Sequence, residues 1–259
     1  MQQLMQSVLA ISSIAARALS TGASGLFGLF FLLSAPAQAQ TLKPFSGAAL
    51  GPPPAPWRVV GLPANKAPLA ELDIVQLGTQ KVLRLRTEHS YGTVSHALPA
   101  QTPAGTLRWR WRLDQPVADA DLRRKKGDDA PLKVCAMFDL PLDRLGFVER
   151  NLLRLARTAS GEYLPGATLC YVWDQKLPVG AELANAYTRR VRFIVLNSAN
   201  TPLQQWVAHS RDLRADFLRS FGAETDTVPP LLAIVAGADS DNTGGSSLAY
   251  LDDLSLVEQ

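Results

Sequence analysis

The sequence predicts an all-β chain, an antiparallel β-sandwich of jelly-roll type with two short helical insertions. Three observations predict it. Apolar and polar residues alternate in many short runs, the signature of half-buried strands. Clusters of Pro, Gly, Asn and Asp separate most of those runs, as turns require. Helical spacing appears in only two stretches.

The first 39 residues contain no acid and one base, Arg17. Gly25 to Ser34 (GLFGLFFLLS) is a short apolar core, and Ala37-Gln38-Ala39 is a small-x-small cleavage site. That layout predicts a secretory signal peptide over 1–39, cleaved before Gln40. The apolar core is about half the ~20 residues a bilayer span needs, so no membrane insertion is expected after cleavage. The expected location is the periplasm or the extracellular space. Residues 40–56, with Pro52-Pro53-Pro54, form a Pro/Gly/Ala-rich extended lead-in, and 57–259 form one sandwich domain.

Strands are expected at Trp57–Val60, Asp73–Leu77, Lys81–Thr87, Gly92–Ala97, Thr106–Leu113, Leu132–Asp139, Thr168–Trp173, Val191–Asn197, Gln204–Ser210, Leu231–Ala238 and Ser247–Val257. The two helices are Phe147–Ala159 and Asp212–Phe221. The first collects Phe147, Leu152, Leu155 and Ala156 on roughly one side. The second repeats Leu213, Phe217 and Phe221 every four residues, with Gly222 as a stop. Both should pack one face on the sandwich.

The formal net charge of +3 falls to +2 when Arg17 leaves with the signal peptide. So weak a charge argues against a nucleic-acid partner. The two cysteines, Cys135 and Cys170, lie in KVCAMFD and TLCYVWD. An exported protein meets an oxidising compartment, so they bridge if their strands are neighbours in register, and otherwise are small buried hydrophobes.

Four segments carry candidate chemistry. In LRWRWRL a period of two places Trp109, Trp111 and Leu113 on one face and Arg108, Arg110 and Arg112 on the other. Like charges in a row need acids opposite, and Asp128, Asp129, Asp139, Asp252 and Asp253 are the candidates. Otherwise Arg110 and Arg112 offer planar forks to an anionic ligand. In DLRRKKGDDAP, Asp128 and Asp129 stand where a loop meets the sheet. Tyr171 and Trp173 alternate on one strand: exposed they would stack on sugar rings, buried they are core. In Asp239-x-Asp241-Asn242-Thr243-Gly244 the oxygen spacing is that of half a calcium loop, with Asp239, Asp241 and Thr243 as metal ligands. Tyr250 stands at position twelve, where a helix-loop-helix site needs Glu, so that type is excluded. The ordinary use of such residues is to cap a tight turn.

The chain has no G-x-S-x-G elbow and no H-E-x-x-H pair, and His89, His96 and His209 are scattered. Glycoside cleavage would need Asp128 or Asp129 paired with Asp239 or Asp241 at ~5 to ~9 Å.

The ordered series LRWRWRLD, DLRRKKGDDAPLKVCAMFD, LPGATLCYVWD, RDLRADFLRSFG and IVAGADSDNTGGSSLAYLDDLSL resembles the bacterial exported family catalogued as domain of unknown function 3047, over Trp57 to Leu256. The resemblance implies one β-sandwich domain behind a signal peptide, with no assigned activity. It carries over motif positions, among them Trp109, Trp111, Asp128, Asp129, Tyr171, Trp173, Asp216, Phe221, Gly222, Asp239, Asp241, Asn242, Thr243 and Asp253. The Y-x-D-D-x-S-L ending also resembles the closing strand of carbohydrate-binding sandwich modules. The expected function is therefore a non-catalytic binder of a glycan or another polar or anionic ligand, with no cofactor other than calcium. In that reading Arg110 and Arg112 contact anionic groups, Tyr171 or Trp173 stacks, and Asp128, Asp129, Asp239, Asp241 and Asn242 bind hydroxyls or calcium. The alternatives are a polysaccharide hydrolase or lyase using the Asp residues, and a structural envelope protein with no small ligand.

Overall fold

Alternating apolar positions need a second apolar face to pack on, and the chain supplies one by folding into two stacked sheets. A computed structural model describes residues 39–40, 42–62, 65–160 and 164–257. The expected signal peptide lies, apart from Ala39, outside the described residues. In chain order the strands are β1 (Ala39–Gln40), β2 (Arg58–Val60), β3 (Glu71–Leu77), β4 (Gln80–Glu88), β5 (Tyr91–Thr102), β6 (Thr106–Gln115) and β7 (Lys133–Phe138). They continue as β8 (Ala167–Trp173), β9 (Glu182–Ala184), β10 (Val191–Asn197), β11 (Val207–Asp212), β12 (Leu231–Asp239), β13 (Ser246–Leu251) and β14 (Ser255–Val257). Helix α1 spans Phe147–Ser160 between β7 and β8, and α2 spans Leu213–Phe221 after β11.

The first sheet runs β1-β14-β6-β13-β4-β3, with β11 also paired to β6. The expected single strand Ser247–Val257 is two: β13 and β14 lie end to end along β6, broken at Asp252–Leu254, with Asp252 N donating to Arg110 O at 2.9 Å. The second sheet runs β2-β5-β12-β7-β8-β10-β9, and its pairings are antiparallel except β8 with β10. The chain is thus an antiparallel β-sandwich with two helical insertions and one parallel pair.

The core lies between the sheets. Trp109 and Trp111 of β6 meet Tyr171 and Trp173 of β8, with ring centroids 5.2 Å apart for Trp109–Tyr171 and 6.5 Å for Trp111–Trp173. Each polar edge of this layer that bonds does so across the layer. Trp111 Nε1 and His209 Nε2 both lie against Asn197 Oδ1, at 2.7 and 2.8 Å, and the Tyr171 hydroxyl donates to Asp216 Oδ2 at 2.6 Å. Arg211 holds the same Asp216 through two bonds. Burial and the Asp216 charge push the Tyr171 hydroxyl far above the phenol range. Tyr171 and Trp173 are therefore fully buried core, and the stacking role on an exposed face is corrected.

Helix α2 behaves as its spacing predicts. Asp212 caps it by accepting from Arg214 N and Ala215 N, and Leu213, Phe217 and Phe221 are buried. Helix α1 does not. Leu153 is the residue that enters the core, while Phe147, Leu152 and Leu155 are 76%, 61% and 66% exposed. Its ends are tied by arginines instead, Arg150 to Leu145 O and Arg157 to Leu164 O. No described helix is long and apolar enough to cross a membrane.

Candidate ligand-binding groove

A strand buried on one face still has a second face to dispose of. On β8 the inward set is Ala167, Leu169, Tyr171 and Trp173, so Thr168, Cys170 and Val172 point outward, and all are buried. The register lines up their neighbours. Cys135 of β7 and Phe193 of β10 flank Cys170, and Met137 and Val191 flank Thr168. Cys135 and Cys170 are direct partners, with Cα atoms 4.0 Å apart, and form a disulfide. The loops around Leu122 and Ala130, and around Leu177 and Ala181, cover part of this outer face with a second apolar cluster. The remainder is an open groove of about 1040 Å³.

One end of the groove is polar. Asp239, the last residue of β12, sits across from Tyr91, the first of β5. Its Oδ1 accepts from Ala130 N at 2.8 Å and its Oδ2 from Lys133 Nζ at 2.9 Å. Tyr91 lies under the Lys133 ammonium, 4.8 Å from ring centroid to nitrogen. Burial pushes the Asp239 carboxyl up to about 6 against the pull of Lys133, while the Asp239 charge raises Lys133 above the usual lysine range.

Asp128 and Asp129 are adjacent in sequence and separate in role. Asp128 lines the groove, accepts from Asn185 Nδ2 at 2.5 Å, and is raised by burial. Asp129 turns away to latch the loop after β12. It accepts from Asn242 N (3.1 Å), Asn242 Nδ2 (3.2 Å), Thr243 N (2.8 Å) and Thr243 Oγ1 (2.6 Å). The latch presents Asp241 and Asn242 to the groove. Asp241 is raised by burial and by the Asp129 charge, and among the described residues none donates a hydrogen bond to its buried Oδ1. Opposite, the Tyr187 hydroxyl lies 2.8 Å from Asn242 Oδ1 and closes the polar end.

The other end is apolar. Residues 149, 152, 153 and 156 of α1, at helical i, i+3, i+4, i+7 spacing, form its wall with Leu164 and Pro165. Glu149 and Arg190 pair there at 2.9 Å.

The structure sorts the expected site residues. Asp128, Asp239, Asp241 and Asn242 meet in the groove. Asp129 joins them as a positioning residue and does not line it. Asp129, Asp239 and Asp241 each offer an oxygen within 4.8 Å of the others, the spacing of a cation site. Yet Lys133 already holds a positive charge against Asp239, and the Thr243 hydroxyl donates to Asp129. Arg110 and Arg112 are corrected. They project from the outer face of the first sheet, on the far side of the sandwich. Arg110 pairs with Asp252, and Arg112 with Asp114 on its own strand at 2.6 Å. Of the acids expected opposite the arginine row, Asp252 is the one that meets it.

Sequence reasoning missed Lys133, Tyr91, Asn185 and Tyr187. A period of two counted back from Cys135 reaches Lys133, so that residue had a signal. Asn185 and Tyr187 sit in an irregular loop and had none.

Among curated proteins, none matches the chain significantly. Solved structures with a sandwich likeness include the family 11 carbohydrate-binding module of the cellulosomal cellulase Lic26A-Cel5E of Clostridium thermocellum. It is 11% identical with a TM-score of 0.39, over 87% of this chain and 97% of that one. A family 12 xyloglucanase from Bacillus licheniformis in complex with ligand is 8% identical with a TM-score of 0.44, over 86% and 98%. A metagenome-derived glycoside hydrolase family 12 endoglucanase is 17% identical with a TM-score of 0.41, over 78% and 90%. At these identities and scores none of them speaks to what this chain binds or does. The family model described as protein of unknown function, DUF3047, matches residues 55–255, and the chain belongs to that family.

Proposed function

We propose that the protein is an exported, non-catalytic binder that holds a neutral, hydroxyl-rich ligand, a glycan, in the groove over the second sheet. The observation that carries this reading is the polar end of the groove, where Asp128, Asp241 and Asn242 gather on one wall. Carboxylates accept from hydroxyls and an amide both accepts and donates, so such a group suits a hydroxyl-rich ligand. Asn185 stands beside them, and Tyr91, Tyr187 and Phe193 are aromatic rings of the groove. The ionisable lining is balanced: Asp128, Glu149, Asp239 and Asp241 face Lys66, Lys133, Arg189 and Arg190. A balanced lining favours a neutral ligand over an anionic one. The Cys135–Cys170 disulfide supports export, since such bonds persist in oxidising compartments.

Hydrogen bonding takes two of the four candidate carboxyls out of turnover. Asp239 is raised as a general acid would be, but both its oxygens are occupied by Ala130 and Lys133. Asp129 spends its oxygens on four donors. Neither is free to attack or to protonate a leaving group.

The test is thermal melting of the protein with neutral and with sulfated oligosaccharides. A neutral one present at ~100 times its dissociation constant should add about 2.7 kcal/mol. EDTA and calcium should leave the melt unchanged. Shifts from sulfated sugars alone, or from none, would sink the reading.

A further inference from the structure

The groove holds more than a sugar site. Its polar groups crowd one end. The floor beyond them is Cys135, Met137, Cys170 and Phe193, and the far wall is the Leu152, Leu153 and Ala156 face of α1. Sugars are recognised by polar groups and flat aromatic faces, and apart from the Phe193 ring this end supplies aliphatic and sulfur surface. Its one charged pair, Glu149 with Arg190, is internally neutralised. Leu152 is 61% exposed although it stands over the groove, and Phe147, Val148 and Leu155 extend apolar surface along the same helix. Exposed apolar surface continuous with a cavity marks a place where something apolar is bound. At about 1040 Å³ the groove is at the upper end of single-ligand sites, with room for a head group and a chain.

We propose that the ligand is an amphiphile: a single alkyl or acyl chain lies along the disulfide floor under α1, and its hydroxyl-bearing head meets Asp128, Asp241 and Asn242. This rests on the groove being the ligand site, and it assigns the half that a free glycan leaves unfilled.

The experiment is calorimetric titration of the protein with maltose and with octyl, decyl and dodecyl maltoside, each below its micellar concentration. Burial of the chain tightens binding about fourfold per methylene, so about fifteenfold from decyl to dodecyl. Leu152→Gln should flatten that dependence. It replaces an exposed side chain with a good helix former, so the unliganded melt should not move. Leu218→Gln, on exposed α2 surface, should change nothing, which separates the groove from general detergent binding. Equal affinity for maltose and all three maltosides would overturn the chain site and leave the glycan reading standing. The same chain-length dependence with alkyl phosphocholines would support the chain site and overturn the glycan head. No binding of any alkyl ligand would overturn the proposal.

Discussion

The outer face of the first sheet and the outer face of the second receive similar residues and end in different states. On the first, Arg110 and Arg112 stand in a row on β6, and Asp252 and Asp114 neutralise them within the same sheet. Arg84 and Asp73 do the same on β4 and β3, through two bonds of 2.9 Å. Such half-exposed pairs satisfy one another. On the second face the charges are buried, loops and α1 rise around them, and at least one oxygen remains unsatisfied. A charge on a flat face is met by a neighbour on its own strand or beside it. At a strand end, where β12 stops and a loop begins, the neighbour is missing and the geometry depends on the latch.

The contrast can be broken at several points. The largest effect should come from the disulfide under the groove. It spans a sequence separation of 35, and its removal by Cys135→Ser with Cys170→Ser should cost about 4 kcal/mol in denaturant unfolding. It should also collapse the apolar half of the groove.

The interior shared by both sheets gives the next. Burial and the Arg211 charge depress His209 from 6.5 to about 4. The folded state then binds fewer protons than the unfolded chain between those values. His209 should therefore contribute stability that rises as pH climbs from 4 to 6.5 and is fully present above it, by at most about 3 kcal/mol, against an opposite contribution from the raised Asp239 over the same range. His209→Asn should remove that slope. A slope unchanged by the substitution would place the proton elsewhere.

Asp129→Asn should cost about 2 kcal/mol, because the Asn242 and Thr243 donors lose a charged acceptor. It should weaken ligand binding at least tenfold by releasing Asp241, although Asp129 does not line the groove. Smallest should be Arg112→Ala, under about 1 kcal/mol in stability and with no effect on binding.

Much of this was legible in the chain. Alternation located eleven strands, because a half-buried strand writes its own pattern. The break at Asp252–Leu254 is marked by a phase slip, since the inward set passes from Ala249 and Leu251 to Leu254 and Leu256, and reading one strand through Ser247–Val257 overlooked it. The disulfide was legible as a conditional, since register decides it and register is not written in either strand alone. The face of α1 was misread: a stripe of Phe147, Leu152 and Leu155 predicts burial, but an apolar stripe also suits a ligand. Asp239, Asp241 and Asn242 were found as a cluster of acceptors at a turn. Lys133 was not, because a buried lysine only makes sense once its acid is placed beside it.

The central claim is that the ligand lies over the second sheet. The most direct measurement is melting of the protein, Asp241→Ala and Arg112→Ala with the neutral oligosaccharide that gives the largest shift. The account predicts that the shift disappears in Asp241→Ala and persists in Arg112→Ala. A shift that survives Asp241→Ala and disappears in Arg112→Ala would move the site to the other face and contradict it.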